Sequence, residues 1–342
     1  MTILITGGAG YIGSHTTAAL LENGYDNIVV IDNLCNSDIG SIKSVERITG
    51  KKISFFNADI RDEIELNKIF TRCNISSVIH FAGLKSVAES KDLPIEYYSN
   101  NVYGTINLVK CMLKNRVYNL IFSSSATVYG IPEKNPLDEN CITGGTTNPY
   151  GYSKYISENI LKDIAKANNK LNITCLRYFN PVGAHPSGHL GENPVGIPNN
   201  IMPFISGVAI GRFKKLNIFG SDYNTKDGTG VRDYIHVMDL ASGHLSALNK
   251  KWLTNGFRVY NLGTGKGYSV LELVKTFEKI SNRTINYEFV ARRPGDVAEC
   301  WSTPLKAKKE LGWEAKYSLE NMIEDAWRWQ LNYPNGFYSV NS

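Results

Sequence analysis

The stretch that most constrains this 342-residue chain is its first turn. Residues 2–6 form a short apolar run rich in β-branched side chains. The run passes into Gly7-Gly8-Ala9-Gly10-Tyr11-Ile12-Gly13 and then into a helix-like stretch ending near Asn23. A glycine-rich turn between a strand and a helix is a phosphate cradle. Gly7 permits the tight turn, Gly10 lets backbone approach a pyrophosphate, and Gly13 lets helix and strand pack closely. The helix N-terminus adds free N–H groups and the positive end of its dipole. Taken alone, such glycines also make an ordinary structural turn. Here a second strand-like run, residues 27–31, ends in Asp32, about 20 residues past the turn, where the dinucleotide fingerprint places an acidic residue. A carboxylate there accepts hydrogen bonds from the adenosine ribose and repels a 2′-phosphate. The two features together predict NAD as the cofactor and disfavour NADP.

The rest of the first half alternates strands and helices. Residues 33–44 are polar, and Asn36 and Ser37 lie within reach of a ribose or phosphate, or in a plain loop leading to a helix. Strands are predicted at 52–57, 77–81, 119–123 and 172–178. Helices are predicted from Asp62 to about Cys73, from Pro94 to about Asn115, and from about Tyr150 to Ala167. This alternation predicts an α/β chain with a doubly wound parallel sheet covered on both faces. Ala82-Gly83 at the end of a strand lets a cofactor pack against backbone.

Ser123-Ser124-Ser125 closes one of these strands, and Tyr150 and Lys154 stand four apart on the helix that follows, so they share a face. An ammonium beside a phenol favours phenolate. With a serine hydroxyl nearby, such a tyrosine accepts the proton of an alcohol being oxidised. With 19 tyrosines in the chain, one Tyr-x-x-x-Lys arises by chance, so the pair gains weight only from the dinucleotide half before it.

After residue 183 the pattern changes. Residues 184–198 are rich in Gly, Pro and His without periodicity, and His185 and His189 lack a third neighbour that would make a metal site. Gly263-Thr264-Gly265-Lys266-Gly267 resembles a second glycine turn, but no acidic strand end follows it, which argues against a second dinucleotide. Arg292-Arg293-Pro294-Gly295-Asp296 reads as a rigid turn with two guanidinium forks suited to a diphosphate.

Composition narrows the classes. The net charge is +5 with basic residues scattered, which excludes a nucleic-acid stripe and leaves solvated surface plus an anionic ligand site. No apolar run approaches the roughly 18 residues that span a bilayer. The first strand begins at residue 2, which predicts no signal peptide before the fold. Six scattered cysteines with no C-x-x-C pair predict reduced thiols and a cytoplasmic protein.

The segments ITGGAGYIGSH, SSSATVYG, NPYGYSK, RYFNPVGAHPSG, PNNIMPF, DGTGVRDYIHVMDLA and YNLGTG resemble the extended short-chain dehydrogenase/reductase family, and within it the UDP-hexose 4-epimerases, over nearly the whole chain. The resemblance implies a Rossmann-type NAD-binding domain, 1–179 plus about 234–262. It also implies a smaller α/β substrate domain, about 180–233 plus 263–342. It implies that Tyr11, Ile12, Asp32, Asn33, Asn36, Ser37, Asp59, Ile60, Phe81, Ala82, Lys85, Asn100 and Tyr178 contact NAD, with Gly7, Gly10 and Gly13 in the turn. Ser125, Tyr150 and Lys154 are then catalytic. Asn180, Asn200, Asn217, Ile218, Phe219, Arg232, Arg293 and Asp296 then hold the UDP-sugar. Cys300 stands where some members carry a tyrosine beside the sugar C2 substituent. That smaller side chain implies that N-acetylated UDP-hexoses are accepted as well as UDP-glucose and UDP-galactose. The implied partner is a second copy of the chain, suggested also by apolar faces at 94–115 and 150–167, with no nucleic acid and no membrane.

Two rivals remain at this point. A sibling dehydratase or decarboxylase needs an extra acid or base beside the catalytic Ser or Thr, and Ala126 and Thr127 supply no carboxylate. A non-catalytic NAD-sensing protein of the same fold usually lacks the Tyr/Lys pair that this chain retains.

Overall fold

The computed structural model describes residues 1–250, 254–293 and 295–337. It divides into two compact units. The first comprises Met1–Gly130, Ile142–Arg177 and Ala241–Tyr260. The second comprises Ile131–Cys141, Tyr178–Leu240 and Asn261–Ser342.

The first unit is built on β1 (Ile3–Thr6), β2 (Ile28–Asp32), β3 (Ser54–Asn57), β4 (Ser77–His80), β5 (Asn119–Ser125) and β6 (Asn172–Tyr178). With strand Gly256–Leu262 they form one sheet in the order Gly256–Leu262, β6, β5, β4, β1, β2, β3. The pairs β1–β2, β1–β4, β2–β3 and β4–β5 are parallel. The central strands β1, β2 and β4 are buried along their full length, as apolar runs flanked by helices on both faces require. Order reverses between β1 and β4, so the carboxyl ends of β1, β2 and β4 flank the switch point where ligands bind in open sheets. One core cluster runs from Leu4, Val29 and Ile31 through Leu66, Phe70 and Val78 to Leu108, Phe122 and Ile173.

The helices are set by local chemistry. Asp62 caps Glu63–Cys73 by accepting from Glu65 N, and Asn148 caps Pro149–Ala167 by accepting from Gly151 N, with Pro149 in the first turn. The segment expected as one helix from Pro94 is three pieces: Pro94–Tyr97, a π-helical turn Tyr98–Tyr103, and Gly104–Lys114. The wider turn directs both Asn100 and Asn101 inward, where they are 8% and 3% exposed. A short helix at Val87–Asp92 lies where no element was expected.

Among its described residues the second unit holds three small sheets. Asn180–Val182 pairs with Tyr234–His236, and Leu216–Phe219 pairs with Tyr287–Val290, both in parallel. Val231–Arg232 lies between Glu299–Cys300, parallel, and Tyr268–Ser269, antiparallel. Their core includes Ile205, Ile218, Tyr234, Phe277 and Ile323. Among the described residues, no helix is long and apolar enough to cross a membrane.

Candidate active site

The first turn leaves no room for side chains. Gly7 has φ +70°, and a Cβ on it would stand 2.5 Å from Ala82 N. A Cβ on Gly13 would stand 2.3 Å from Gly7 O. Helix Tyr11–Glu22 therefore starts directly on the turn with no side-chain cap, which aims the positive end of its dipole into the turn. Asp32 ends β2 almost completely buried. It accepts from Ala9 N (3.0 Å), Leu34 N (2.9 Å) and the Ser37 hydroxyl (2.7 Å). Asn33 donates to Asp59 (3.0 Å), which Arg61 also grips through Nε and Nη2. Those Arg61 hydrogen bonds hold the Asp59 carboxyl down at about 2. Ile60 is buried, Phe81 and Ala82 are half-buried at the end of β4, and Asn36 and Lys85 are exposed. The turn, the buried acid at the end of β2 and the small residues after β4 fit an adenine dinucleotide.

The three residues expected to be catalytic lie in the same unit. Ser125 ends β5, and its hydroxyl accepts from Thr127 N (3.2 Å) and Thr127 Oγ1 (3.0 Å). Tyr150 lies in the first turn of Pro149–Ala167, with its ring edge-on to buried Tyr97 at 6.5 Å. Burial raises the Tyr150 phenol above its ordinary value, and a hydrogen bond with Ser125 pulls it part of the way back. Lys154 is buried, donates to Ser123 O (2.8 Å) and sits 5.0 Å over the Phe122 ring. Burial brings its ammonium down to about 8. Helical spacing suggested that this ammonium depresses the phenol. The structure corrects that: Lys154 is turned to the Ser123 carbonyl, and the depressing contact on Tyr150 is Ser125. The helix N-terminus beside Tyr150 adds a field that also favours phenolate.

Two residues that the sequence did not single out hold this group in place. Asn101 accepts from Leu84 N (2.8 Å) and donates to Leu84 O (3.0 Å) and Ser153 Oγ (2.9 Å). Ser153 in turn donates to Tyr150 O (2.7 Å). His80 is buried between Thr6 Oγ1 (2.7 Å) and Thr105 Oγ1 (3.0 Å). Thr105 donates to Asn101 O (2.6 Å), so it accepts from His80 Nε2–H, and Thr6 donates to Nδ1. Burial, then the Lys154 charge, lowers His80 to about 3, which keeps the ring neutral as these bonds require. Their one sequence signal is adjacency, Asn101 to Asn100 and His80 to Phe81.

The second unit gathers the other expected residues. Arg232 Nη2 meets Asp296 Oδ1 at 2.6 Å, and Arg293 Nε lies 3.9 Å from Asp296 Oδ2 with its guanidinium 4.2 Å over Phe219. Asp296 thus holds one guanidinium closely and lies near a second. Arg292 turns elsewhere, to Asp222 (2.8 Å) and the Tyr223 ring (4.1 Å). Pro294, called a rigid turn residue, lies outside the described residues. Ile218 is buried on the strand that exposes Asn217. Asn180 is exposed, and Tyr178 is buried at the end of β6. Asn200 donates to Glu192 (2.5 Å). Cys300 pairs in register with Arg232, and burial pushes its thiol up to about 11. Among the described residues, no three His, Cys, Asp or Glu side chains come together as metal ligands.

A family model described as GDP-mannose 4,6 dehydratase matches residues 4–326. The UDP-glucose 4-epimerase of Haemophilus influenzae is 59% identical over 337 residues, 98% of this chain and 99% of that protein. The chain belongs to the UDP-glucose 4-epimerase branch of the extended short-chain dehydrogenase/reductase family. The human UDP-glucose 4-epimerase is 54% identical over 341 residues, 98% of each chain. The crystal structure of UDP-glucose 4-epimerase from Bifidobacterium longum in complex with NAD+ and UDP superposes with TM-score 0.95 at 51% identity, covering 98% of this chain and 100% of that one. The match to a dehydratase-named model reflects the shared fold. Ser125-Ala126-Thr127 carries no carboxylate for elimination.

Proposed function

We propose that the chain is a UDP-hexose 4-epimerase that interconverts UDP-glucose and UDP-galactose, and also UDP-N-acetylglucosamine and UDP-N-acetylgalactosamine. The observation that carries the reading is the Ser125–Tyr150–Lys154 group beside the glycine turn and Asp32, in a chain whose near-full-length relatives are UDP-glucose 4-epimerases. Residues 1–179 with about 234–262 hold NAD, and about 180–233 with 263–342 hold the UDP-sugar.

Bound NAD supplies reversible hydride exchange at sugar C4. Tyr150 takes the proton of the 4-hydroxyl, and the Ser125 hydroxyl, which acts on the same phenol, shares it. Lys154, a buried cation on the helix that carries Tyr150, would bond the nicotinamide ribose of bound NAD. Arg232 and Arg293, with Asp296 beside both guanidinium groups, anchor the diphosphate end, so the hexose is left free to turn and C4 regains its hydride on the opposite face. Tyr150 then returns the proton, and the configuration is inverted.

Asp32 carries the cofactor choice. Its buried charge meets a 2′-phosphate with repulsion, so protein denatured after purification should release NAD on chromatography. Recovery of mainly NADP would contradict this reading.

Cys300 carries the sugar range. A tyrosine there would fill the space beside the C2 substituent, and overpacking a formed pocket costs about 1–3 kcal/mol. Cys300→Tyr should therefore cut turnover of the N-acetylated pair by roughly tenfold or more while leaving UDP-galactose turnover largely intact. Equal loss on both pairs, or a wild type inactive on UDP-N-acetylglucosamine, would remove Cys300 as the gate.

The chain is read as a homodimer, on the strength of Ile95, Tyr103, Ile106 and Tyr152, which expose apolar surface on packed helices of the first unit. Light scattering tests this. All six cysteines are unpaired thiols, which supports a reducing compartment such as the cytoplasm.

A further inference from the structure

The second glycine turn, Gly263-Thr264-Gly265, has a use that the proposed reaction leaves open. It wraps an anion, and the anion is a side chain of this protein. Asp233 is fully buried, and its Oδ1 accepts from Thr264 N (2.8 Å) and Thr264 Oγ1 (2.7 Å). Its Oδ2 accepts from Ser302 N (3.1 Å), Ser302 Oγ (2.6 Å) and Gly265 N (3.3 Å). The turn must be glycine at its start: a Cβ on Gly263 would stand 2.1 Å from Ser302 Oγ and 2.4 Å from Asp233 Oδ2. Five donors converge on one carboxylate, and no cation is among them.

The backbone of the same residue joins the segments that carry the substrate residues. Asp233 follows Arg232 directly. Its N–H donates to Cys300 O (3.2 Å), and its carbonyl accepts from Asn180 N (2.9 Å). Arg232 and Cys300 sit side by side in the two-residue strands, which are too short to fix their own register. Burial raises the Asp233 carboxyl, while the Ser302 and Thr264 bonds oppose that rise.

We propose that Asp233 is a positioning residue of the UDP-hexose site, a clamp whose carboxylate draws the Gly263–Gly265 turn and the Cys300–Ser302 segment onto Arg232 and so fixes the diphosphate anchor and the sugar gate together. The proposal rests on the reading of Arg232 and Cys300 as substrate residues. Asp233 touches no substrate. It acts through Arg232, Cys300 and Asn180, so its loss falls on KM and on sugar discrimination and spares the hydride chemistry of Tyr150.

The test is steady-state kinetics of the purified protein on UDP-galactose and UDP-N-acetylgalactosamine. Asp233→Asn turns an acceptor into an NH2 group facing N–H donors that cannot reverse. It should raise KM for UDP-galactose about tenfold or more, leave kcat within about threefold, keep bound NAD, and change the ratio of the two substrates' kcat/KM. Ser302→Ala and Thr264→Val each remove one hydroxyl donor and keep the backbone bonds, so they report even if Asp233→Asn does not fold. Each should raise KM about two- to fivefold with kcat unchanged. Arg232→Ala, run in parallel, checks the underlying reading. If Arg232→Ala raises KM while the soluble Asp233, Ser302 and Thr264 variants lose only thermal stability, the clamp is structural and the proposal is overturned. If Arg232→Ala leaves KM unchanged, the substrate assignment fails and the proposal fails with it.

Discussion

Tyr150→Phe should lower kcat by about 10²–10⁴-fold with UDP-sugar binding little changed. In the proposed reaction the phenol takes the 4-hydroxyl proton; burial raises it, the Ser125 hydroxyl opposes that rise, and the Tyr97 ring packs edge-on against it. Lys154 does not substitute, since its Nζ donates to Ser123 O and carries no acceptor lone pair while charged. The variant keeps the ring and loses only the oxygen, so the fold and the NAD turn should persist. Single-turnover reaction with UDP-galactose, with UDP affinity measured alongside, reads the effect. A variant retaining a tenth of the wild-type rate would end the assignment of Tyr150 as base.

Arg177→Ala should be the most damaging change to stability. Arg177 and Glu158 are both 6% exposed in their side chains and meet twice, Nε to Oε1 at 3.0 Å and Nη2 to Oε2 at 2.6 Å. Ser124 donates to the same carboxylate at 2.5 Å, and the guanidinium lies 4.8 Å over the Tyr129 ring. The pair therefore ties β6 to the end of β5 and to the helix that carries Tyr150 and Lys154. Burial alone would lower the Arg177 guanidinium, and the Glu158 carboxylate more than reverses it, so the net shift is upward. Truncating one partner leaves a buried carboxylate unpaired, which costs about 3–5 kcal/mol. For a unit of this size that is a fall of about 6–20 °C in Tm. Replacing both charges by apolar groups, Arg177→Met with Glu158→Leu, should recover roughly half of the loss or more, because no charge is then stranded. Calorimetry of the two variants checks this, and a fall below about 2 °C for Arg177→Ala would show that the pair is not coupled to the fold.

Much of the first unit was legible in the sequence because its signals are local. The glycine turn, Asp32 at a strand end, the Asp62 cap and the run 172–178 each carry their reason within a few residues, and the structure places elements there. The π-helical turn at Tyr98–Tyr103 was not legible. One inserted residue leaves the apolar period intact on either side, so the segment read as a continuous helix. The strands Val231–Arg232 and Glu299–Cys300 are two residues each and have no period to read. Their place is set by Asp233, whose donors on Thr264, Gly265 and Ser302 lie far from it in sequence. The Tyr150–Lys154 spacing was read correctly as one helical face. The electrostatic consequence was not, since a lysine's four-carbon stem lets Nζ turn away from the residue four positions earlier and bond a strand carbonyl. The roles of Asn101 and His80 depend on contacts across the fold, from Leu84 to Ser153 and from Thr6 to Thr105, which no spacing rule encodes.

The central claim is that sugar C4 is inverted through loss and return of its own hydrogen, with the proton handled by Tyr150. The most direct measurement is to incubate the purified protein, with no cofactor added, with UDP-galactose carrying deuterium at C4, and to resolve the products by chromatography and NMR. The expected product is UDP-glucose with the deuterium still at C4. Absence of UDP-glucose, or UDP-glucose whose C4 hydrogen comes from solvent, would contradict it.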